Sequence, residues 1–341
     1  MSGDALDESV LANDAALDDA LAERVKQKQF GLVIAAPASA QLPLRRPVQV
    51  AGCHVETLRD AVRRPAFDDM AIIVGSNPAT GRVRATRAVP ELTEADDPPP
   101  RPPDPGEGVT GSAFRLNTAS LLAFTDAAAV YHVWMIARDR VSNRVRIELI
   151  PPPAYGYDDP EVAKFVTRWR AENPATVHGA DPRSVWPLPA VFGGYPSYRS
   201  GDAKLPLPEH GIVLSAERVL VIDKGLRWVL SGAYRLSIDR AHVVHRPVSG
   251  ESATAVVPIT LVVTALQIAG PIVIGLRLPS LSPIKPTDKA PLVEGHFSIN
   301  LLTLPGVRRI PGTFYVYAVS GDTLSAPATT ALVSTEDLSV A

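Results

Sequence analysis

The sequence predicts a mainly β protein: two tandem antiparallel β-sandwiches, with an N-terminal helix and a helix-containing linker between them. Three observations lead there. First, FGLVIAAPASAQLPLRRPVQVAGCHVETLRDA (30–61) aligns without a gap on HGIVLSAERVLVIDKGLRWVLSGAYRLSIDRA (210–241), 180 residues later. Second, GSAFRLN and YHVWMIARDRVS (within 111–142) align on EGHFSIN and FYVYAVSGDTLS (within 294–325) at an offset of 183. Chance similarity does not keep one offset at both ends of a domain, and long periods mark repeated structural units. Third, each copy divides into about seven short β-type runs separated by turn residues, the pattern of a sandwich.

The identities are few but well spread. Gly31/Gly211, Val33/Val213, Gly52/Gly232 and Ala61/Ala241 match in the first block. Phe114/Phe297, Asn117/Asn300, Val133/Val316, Asp139/Asp322 and Ser142/Ser325 match in the second, with Trp134/Tyr317 as an aromatic pair. At 341 residues the chain has room for two domains, each able to bury its own core.

Residues 1–29 are expected to form an acidic helix. Leu6, Val10, Leu17 and Leu21 fall near one face, and seven acids crowd the first 24 residues. The acids read as a solvated face; the apolar stripe docks either on a partner or on the chain's own domains.

The first sandwich spans 30–150, with strands expected at 32–36, 48–55, 70–74, 82–87, 113–118, 130–137 and 145–150. GSNPATG (75–81) is a turn between two of them; its spacing and the following Arg82 exclude a phosphate loop. A Pro-rich loop, 90–108, interrupts this copy. Consecutive prolines cannot donate ladder bonds, so the loop is read as exposed, or as an arm reaching a neighbour.

Residues 151–208 join the copies. Asp158 caps a helix over 159–172 with Pro160 in its first turn. The aromatics Trp169, Trp186, Phe192, Tyr195 and Tyr198 are dense in a chain with 6% aromatic residues. They either cement the two sandwiches or form a partner or ligand surface. The second sandwich spans 209–335, with strands expected at 212–216, 228–236, 259–266, 272–278, 296–301, 313–319 and 329–333, and 336–341 is a tail. Its own Pro-rich excursion lies at 279–295.

GTFYVYAVSGDTLSAPATTALV (312–333) has an aromatic-x-Val-x-Ala strand, a short Gly/Ser turn and a β-branched return strand. Tyr315, Tyr317, Ala318, Gly321, Ser325 and Pro327 carry that pattern, which resembles the last hairpin of fibronectin type III and related immunoglobulin-like domains. YHVWMIARDRVSNRVRIELI (131–150) keeps it without the Gly and Pro. The resemblance implies an immunoglobulin-like sandwich, duplicated in tandem. With one cysteine there is no disulfide pair around a tryptophan, so an antibody-type domain is not implied.

Function is far less legible. A formal net charge of −2 gives no attraction to nucleic acid or anionic lipid. The apolar stretch 256–274 contains Pro258, Gln267, Gly270 and Pro271, which suits two buried strands better than a membrane helix. The N-terminus lacks a basic segment followed by an apolar run, so no signal peptide is expected. With the single Cys53 this points to a cytoplasmic location. Lysine supplies only 7 of 34 basic residues, and abundant Ala and Pro accompany the arginines, as in GC-rich bacterial genomes.

No catalytic, cofactor or metal residues are assigned. Cys53 and His54 are neighbours on a strand and face apart; Cys53 matches Ala233, so a small buried side chain is expected. His54 matches Tyr234 and His132 matches Tyr315, an exchange that suits half-exposed positions. His242 and His245 are three apart with no further ligand in reach of the pattern. Asp139/Asp322 and Asn117/Asn300 read as turn residues.

The function expected is therefore a non-catalytic structural or assembly protein acting through protein partners or self-association. An enzyme with a site at the seam between the copies is the alternative, and a virion or particle shell protein a further one.

Overall fold

The computed structural model describes residues 6–42, 44, 47–63, 71–88, 91–92, 108–124, 128–150, 205–223, 225–237, 244–246, 254–279 and 292–334. The linker helix and most of both Pro-rich excursions lie outside the described residues.

The chain opens with a 3-10 turn (Glu8–Leu11) and helix α1 (Asp14–Lys26). The helix expected over the whole acidic segment is thus broken in two. Asn13 is the cause: it is extended, and its Oδ1 accepts the Ala15 amide at 2.8 Å, starting a new helix.

The first copy then runs β1 (Gly31–Ala35), β2 (Ser39–Gln41), β3 (Gln49–Thr57), α2 (Leu58–Arg63), β4 (Ala71–Asn77), β5 (Arg82–Arg87), β6 (Glu91–Leu92), β7 (Val109–Asn117), α3 (Thr118–Leu122), β8 (Ala129–Ala137), β9 (Arg140–Val141) and β10 (Val145–Ile150). One sheet has the order β1-β3-β7-β6; the other is β2-β10-β8-β4-β5, with β9 beside β8. Each of the expected strands is present. Alternation aims Leu32, Ile34, Val50, Phe114 and Leu116 of one sheet at Ile73, Val133, Met135 and Ile147 of the other.

The second copy repeats this plan: β11 (Gly211–Ala216), β12 (Val219–Val221), β13 (Val229–Ser237), β14 (Val244–Arg246), β15 (Thr254–Ala265), β16 (Ile272–Pro279), β17 (Leu292–Asn300), β18 (Gly312–Ser320), β19 (Thr323–Leu324) and β20 (Ala328–Val333). Its sheets are β11-β13-β17 and β12-β20-β18-β15-β14, with β16 on β15 and β19 on β18. Tyr234, Phe297, Trp228, Phe314 and Val316 fill the space between them. The apolar stretch near 256–274 is β15 and the start of β16, as expected.

Neither sandwich is purely antiparallel. β2 runs parallel to β10, and β12 parallel to β20. In both copies the opening strand leaves its first sheet and its continuation joins the edge of the second.

The repeated identities have physical causes. Gly52 lies opposite Phe114 and Gly232 opposite Phe297 in the β3–β7 and β13–β17 registers. A Cβ would sit 2.3 Å from the Phe114 ring and 2.2 Å from that of Phe297, so each glycine makes room for its phenylalanine. Gly31 and Gly211 both have positive φ, +114° and +109°, a conformation that excludes other residues. Ser142 Oγ accepts the Met135 amide and Ser325 Oγ accepts the Ala318 amide, each at 2.9 Å. Asn300 Oδ1 accepts the Trp228 and Leu302 amides, the turn role expected of it.

α1 settles on the outer face of β1-β3-β7. Val10 and Leu17 are buried against Val33, Ala35, Ala51, Cys53 and Ala113. Arg115 fastens the approach, with Nη1 and Nη2 donating to the Leu11 and Val10 carbonyls and Nε to Asp14 at 2.7 Å. The apolar stripe therefore docks on the chain's own first domain. The second copy is not shaped for such a helix. Glu294 stands where Gly111 meets Leu21 and Val25, and it pairs with Arg235 at 2.9 Å.

The two sandwiches meet through corresponding sheet faces. Ile72, Val74, Trp134 and Ile136 pack with Val262, Tyr315, Tyr317 and Val319 in one buried cluster. Val74 lies opposite Trp134 and Val262 opposite Tyr317, so the same patch is used in both copies. This is the self-complementary contact of a two-fold dimer, built within one chain. It explains why β4 is apolar on both faces.

Candidate functional site

Among the described residues, the features that could carry function are those the copies do not share. The most developed is a buried polar cluster at one end of the first sandwich. On β3, residues 50, 52, 54 and 56 share one parity, and Val50 lies in the core. His54 and Glu56 therefore also turn inward, and His54 is 1% exposed. The turn from β8 to β9 brings Arg140 onto them. Arg140 Nη1 is 2.7 Å from His54 Nε2 and 3.4 Å from Glu56 Oε2. Its Nη2 is 3.8 Å from Asp60 Oδ2 on α2. Asp60 is held in turn by Thr57 Oγ1 at 2.9 Å.

The chemistry follows from the donors. A guanidinium only donates, so His54 Nε2 accepts and the imidazole proton sits on Nδ1, 3.7 Å from Glu56 Oε1. Burial, with Arg140 acting in the same sense, brings the imidazole down to about 4 from 6.5. Burial raises the Glu56 carboxyl above its ordinary 4.5, against the pull of Arg140. The cluster thus holds a neutral histidine among charged groups.

The sequence reading of His54 as half-exposed is wrong. Both His54 and its counterpart Tyr234 are buried, 1% and 0% exposed. The parity of β3 was the available signal: polar residues at 54 and 56 continue the inward series of Val50 and Gly52. The positions matching His54, Glu56 and Arg140 in the second copy are Tyr234, Leu236 and Thr323. The expectation for Cys53 holds. It is buried under α1, with Sγ 3.9 Å from the Leu17 carbonyl, and burial pushes the thiol up to about 11. A thiol held protonated in this way is a poor nucleophile.

His132 is half-buried on the seam face beside Trp134, with ring centroids 6.3 Å apart. Its counterpart Tyr315 is buried in the seam itself. His245 lies on β14; His178 and His242 lie outside the described residues. So do Trp169, Trp186, Phe192, Tyr195 and Tyr198, the aromatics expected to form a partner or ligand surface. Among the described residues no group of three or more His, Cys, Asp or Glu is placed to hold a metal ion. No described helix is long and apolar enough to cross a membrane.

The seam is closed by polar contacts around its apolar centre. The Tyr317 hydroxyl donates to the Arg138 carbonyl. Arg144 donates to the Asp322 carbonyl at 3.0 Å and pairs with its carboxylate. Arg87 donates to the Ile268 carbonyl at 2.7 Å. Asp322 thus serves the seam as well as its own turn.

A second unshared feature is the edge strand β12. Val219 and Val221 are 55% and 36% exposed, where the matching β2 residues are Ser39 and Gln41. The Arg218 carbonyl and Ile222 amide bond to β20. By alternation, the amides and carbonyls of Val219 and Val221 point away from the sheet.

No protein-family model matches the chain, and a search of the curated proteins gives no match.

Proposed function

We propose that this protein is a non-catalytic assembly protein: two immunoglobulin-like sandwiches locked into one block, acting through protein–protein contacts. The strand order supports the finer fold reading. β1-β3-β7-β6 facing β10-β8-β4-β5 corresponds to an ABED sheet facing a GFCC′ sheet.

The observation that carries the functional reading is the edge of β12, which no other described strand pairs. It combines exposed valines with outward-pointing backbone groups, the combination that accepts an added strand. Glu217, Arg218 and Asp223 flank it. Antiparallel pairing of two such edges about Leu220 would set Glu217 opposite Asp223, a like-charge contact. The occupant favoured is therefore an extended segment of a different protein, carrying a basic residue toward the Glu217 or Asp223 end. The seam is filled by Trp134, Tyr317 and their apolar neighbours, which favours a scaffold over a reaction site at that place.

The test compares the full-length protein with Val219→Lys/Val221→Lys, whose substitutions lie on an exposed edge. Partners are captured from the native source and identified, and assemblies are sized by light scattering. The reading requires a stoichiometric partner that the double variant loses. A monodisperse monomer with no such partner, or one retained unchanged by the variant, overturns it.

A further inference from the structure

We infer that the His54–Glu56–Arg140 cluster is an acid-responsive latch. It holds the β8–β9 turn to the first sandwich while His54 is neutral. It releases that turn, and with it the seam contact at Arg138, when His54 takes up a proton. The inference goes beyond the assembly reading and does not depend on it.

Three observations meet in the turn. Arg140 enters the sandwich end and is bound there by His54, Glu56 and Asp60. Arg138, two residues earlier, has φ +59°, where the second copy has Gly321 at +57°. A non-glycine residue in the left-handed region is held there by its surroundings, at a cost in backbone energy. The carbonyl of that same Arg138 receives the Tyr317 hydroxyl from the other sandwich. One short turn thus joins a buried titratable cluster, a strained residue and the seam. The second copy has a glycine in its turn and Tyr234, Leu236 and Thr323 in place of the cluster, so it has no counterpart to the latch.

The proton sets which contacts survive. With His54 neutral, Nε2 accepts from Arg140. A proton on Nε2 makes both partners donors of like charge at a separation of 2.7 Å, and the bond is lost. Glu56, which faces Arg140 at 3.4 Å, has its carboxyl raised above 4.5 by burial, so it is already taking up its proton when His54 does and its hold on the guanidinium weakens too. Arg140 is left with Asp60, at the exposed rim. Among the described residues the charged groups of the cluster are Glu56 and Arg140, which face His54, with Asp60 on α2 and Arg138 in the turn acting on those two. Two acids balance two bases only while the histidine is neutral. Burial and Arg140 delay protonation, so the latch opens only as the solution reaches about pH 4.

The experiment uses the full-length chain. Histidine ring NMR follows His54 from about pH 7 to about pH 2.5, and hydrogen exchange, corrected for intrinsic rates, follows the peptides. Exchange in the β8–β9 turn and in β18 is expected to rise about tenfold or more across the His54 titration. Peptides of α1 and β13 stay protected. His54→Gln keeps an acceptor for Arg140 but takes no proton, and it abolishes the step. Arg140→Met removes the bond itself, so the turn and β18 should exchange at about pH 7 at about the rate the wild type reaches in acid, with no step left. A wild-type step in His54→Gln, or a His54 titration with turn and seam unchanged, overturns the inference. If His54→Gln does not fold, Arg140→Met decides, and a turn and β18 as protected at about pH 7 as in the wild type overturn it.

Discussion

The hydroxyl of Tyr317 in the second sandwich donates to the carbonyl of Arg138 in the first. Tyr317 occupies the position of Trp134 in the other copy, so the two-fold seam is closed asymmetrically. The duplication kept the apolar patch on both sides, while polar contacts differentiated around it. Arg144–Asp322 has no charged counterpart either, since Arg144 matches Pro327.

Tyr317→Phe should therefore loosen the seam without unfolding either sandwich. The ring still fills the apolar cluster, and the loss is one buried hydrogen bond, about 1–2 kcal/mol. Urea unfolding should show the loss together with faster amide exchange at Arg138 and its neighbours. Unchanged exchange in the turn would mean that the bond contributes nothing to coupling the copies.

Gly52→Ala and Gly232→Ala should destabilise their own sandwiches by similar amounts, about 1–3 kcal/mol each. In both, the new methyl meets a phenylalanine ring at under 2.5 Å, and the ring must give way. Shortening the ring should restore part of the loss: Gly232→Ala/Phe297→Leu should melt above Gly232→Ala alone. Additive losses in the double variant would show that the repeated Gly–Phe pair is not a packing pair.

The strands were legible because their cause is local. Alternating apolar residues, β-branched runs and turn residues placed the expected strands in both copies, and the repeat allowed each copy to check the other. The short β2 and β12 were not legible. Three residues carry too little pattern, and their parallel pairing to β10 and β20 is a long-range choice. The break at Asn13 was hidden by the surrounding alanines and acids, although asparagine is a strong cap. The cluster at His54 was half-legible: strand parity turns residues 54 and 56 inward, but the arrival of Arg140, 86 residues later, depends on how the two sheets face each other.

Stability should fall with acid through His54, and the sign is fixed by its lowered folded value. The unfolded imidazole titrates near 6.5 and the folded one near 4. Its contribution is fully present above pH 6.5 and is lost as pH falls toward 4, by roughly 3 kcal/mol at most. Glu56 works in the opposite direction. Its carboxyl is raised, so its contribution is present below 4.5 and lost as pH rises through the folded value. Denaturant titrations at several pH values should thus show a slope that His54→Gln flattens and Glu56→Gln steepens. Parallel profiles for all three proteins would place the acid sensitivity elsewhere.

Cys53 should report on the docking of α1. The thiol is covered by Leu17, whose side chain is fully buried, and burial keeps it protonated. In the native protein a thiol reagent near pH 8 should label it only as fast as the helix lifts from β1-β3-β7. Leu17→Ala removes the main apolar contact and should cost about 2–4 kcal/mol. Because that contact belongs to the helix rather than to the sandwich core, labelling should accelerate by orders of magnitude before the sheets lose their circular dichroism signal. If labelling and sheet melting accelerate together, α1 is an integral part of the first domain's folding unit. If labelling alone accelerates, the helix is a separable cover over a preformed sheet, and the structure favours that outcome. The contacts of α1 are to one outer face, while the core between the sheets closes without it.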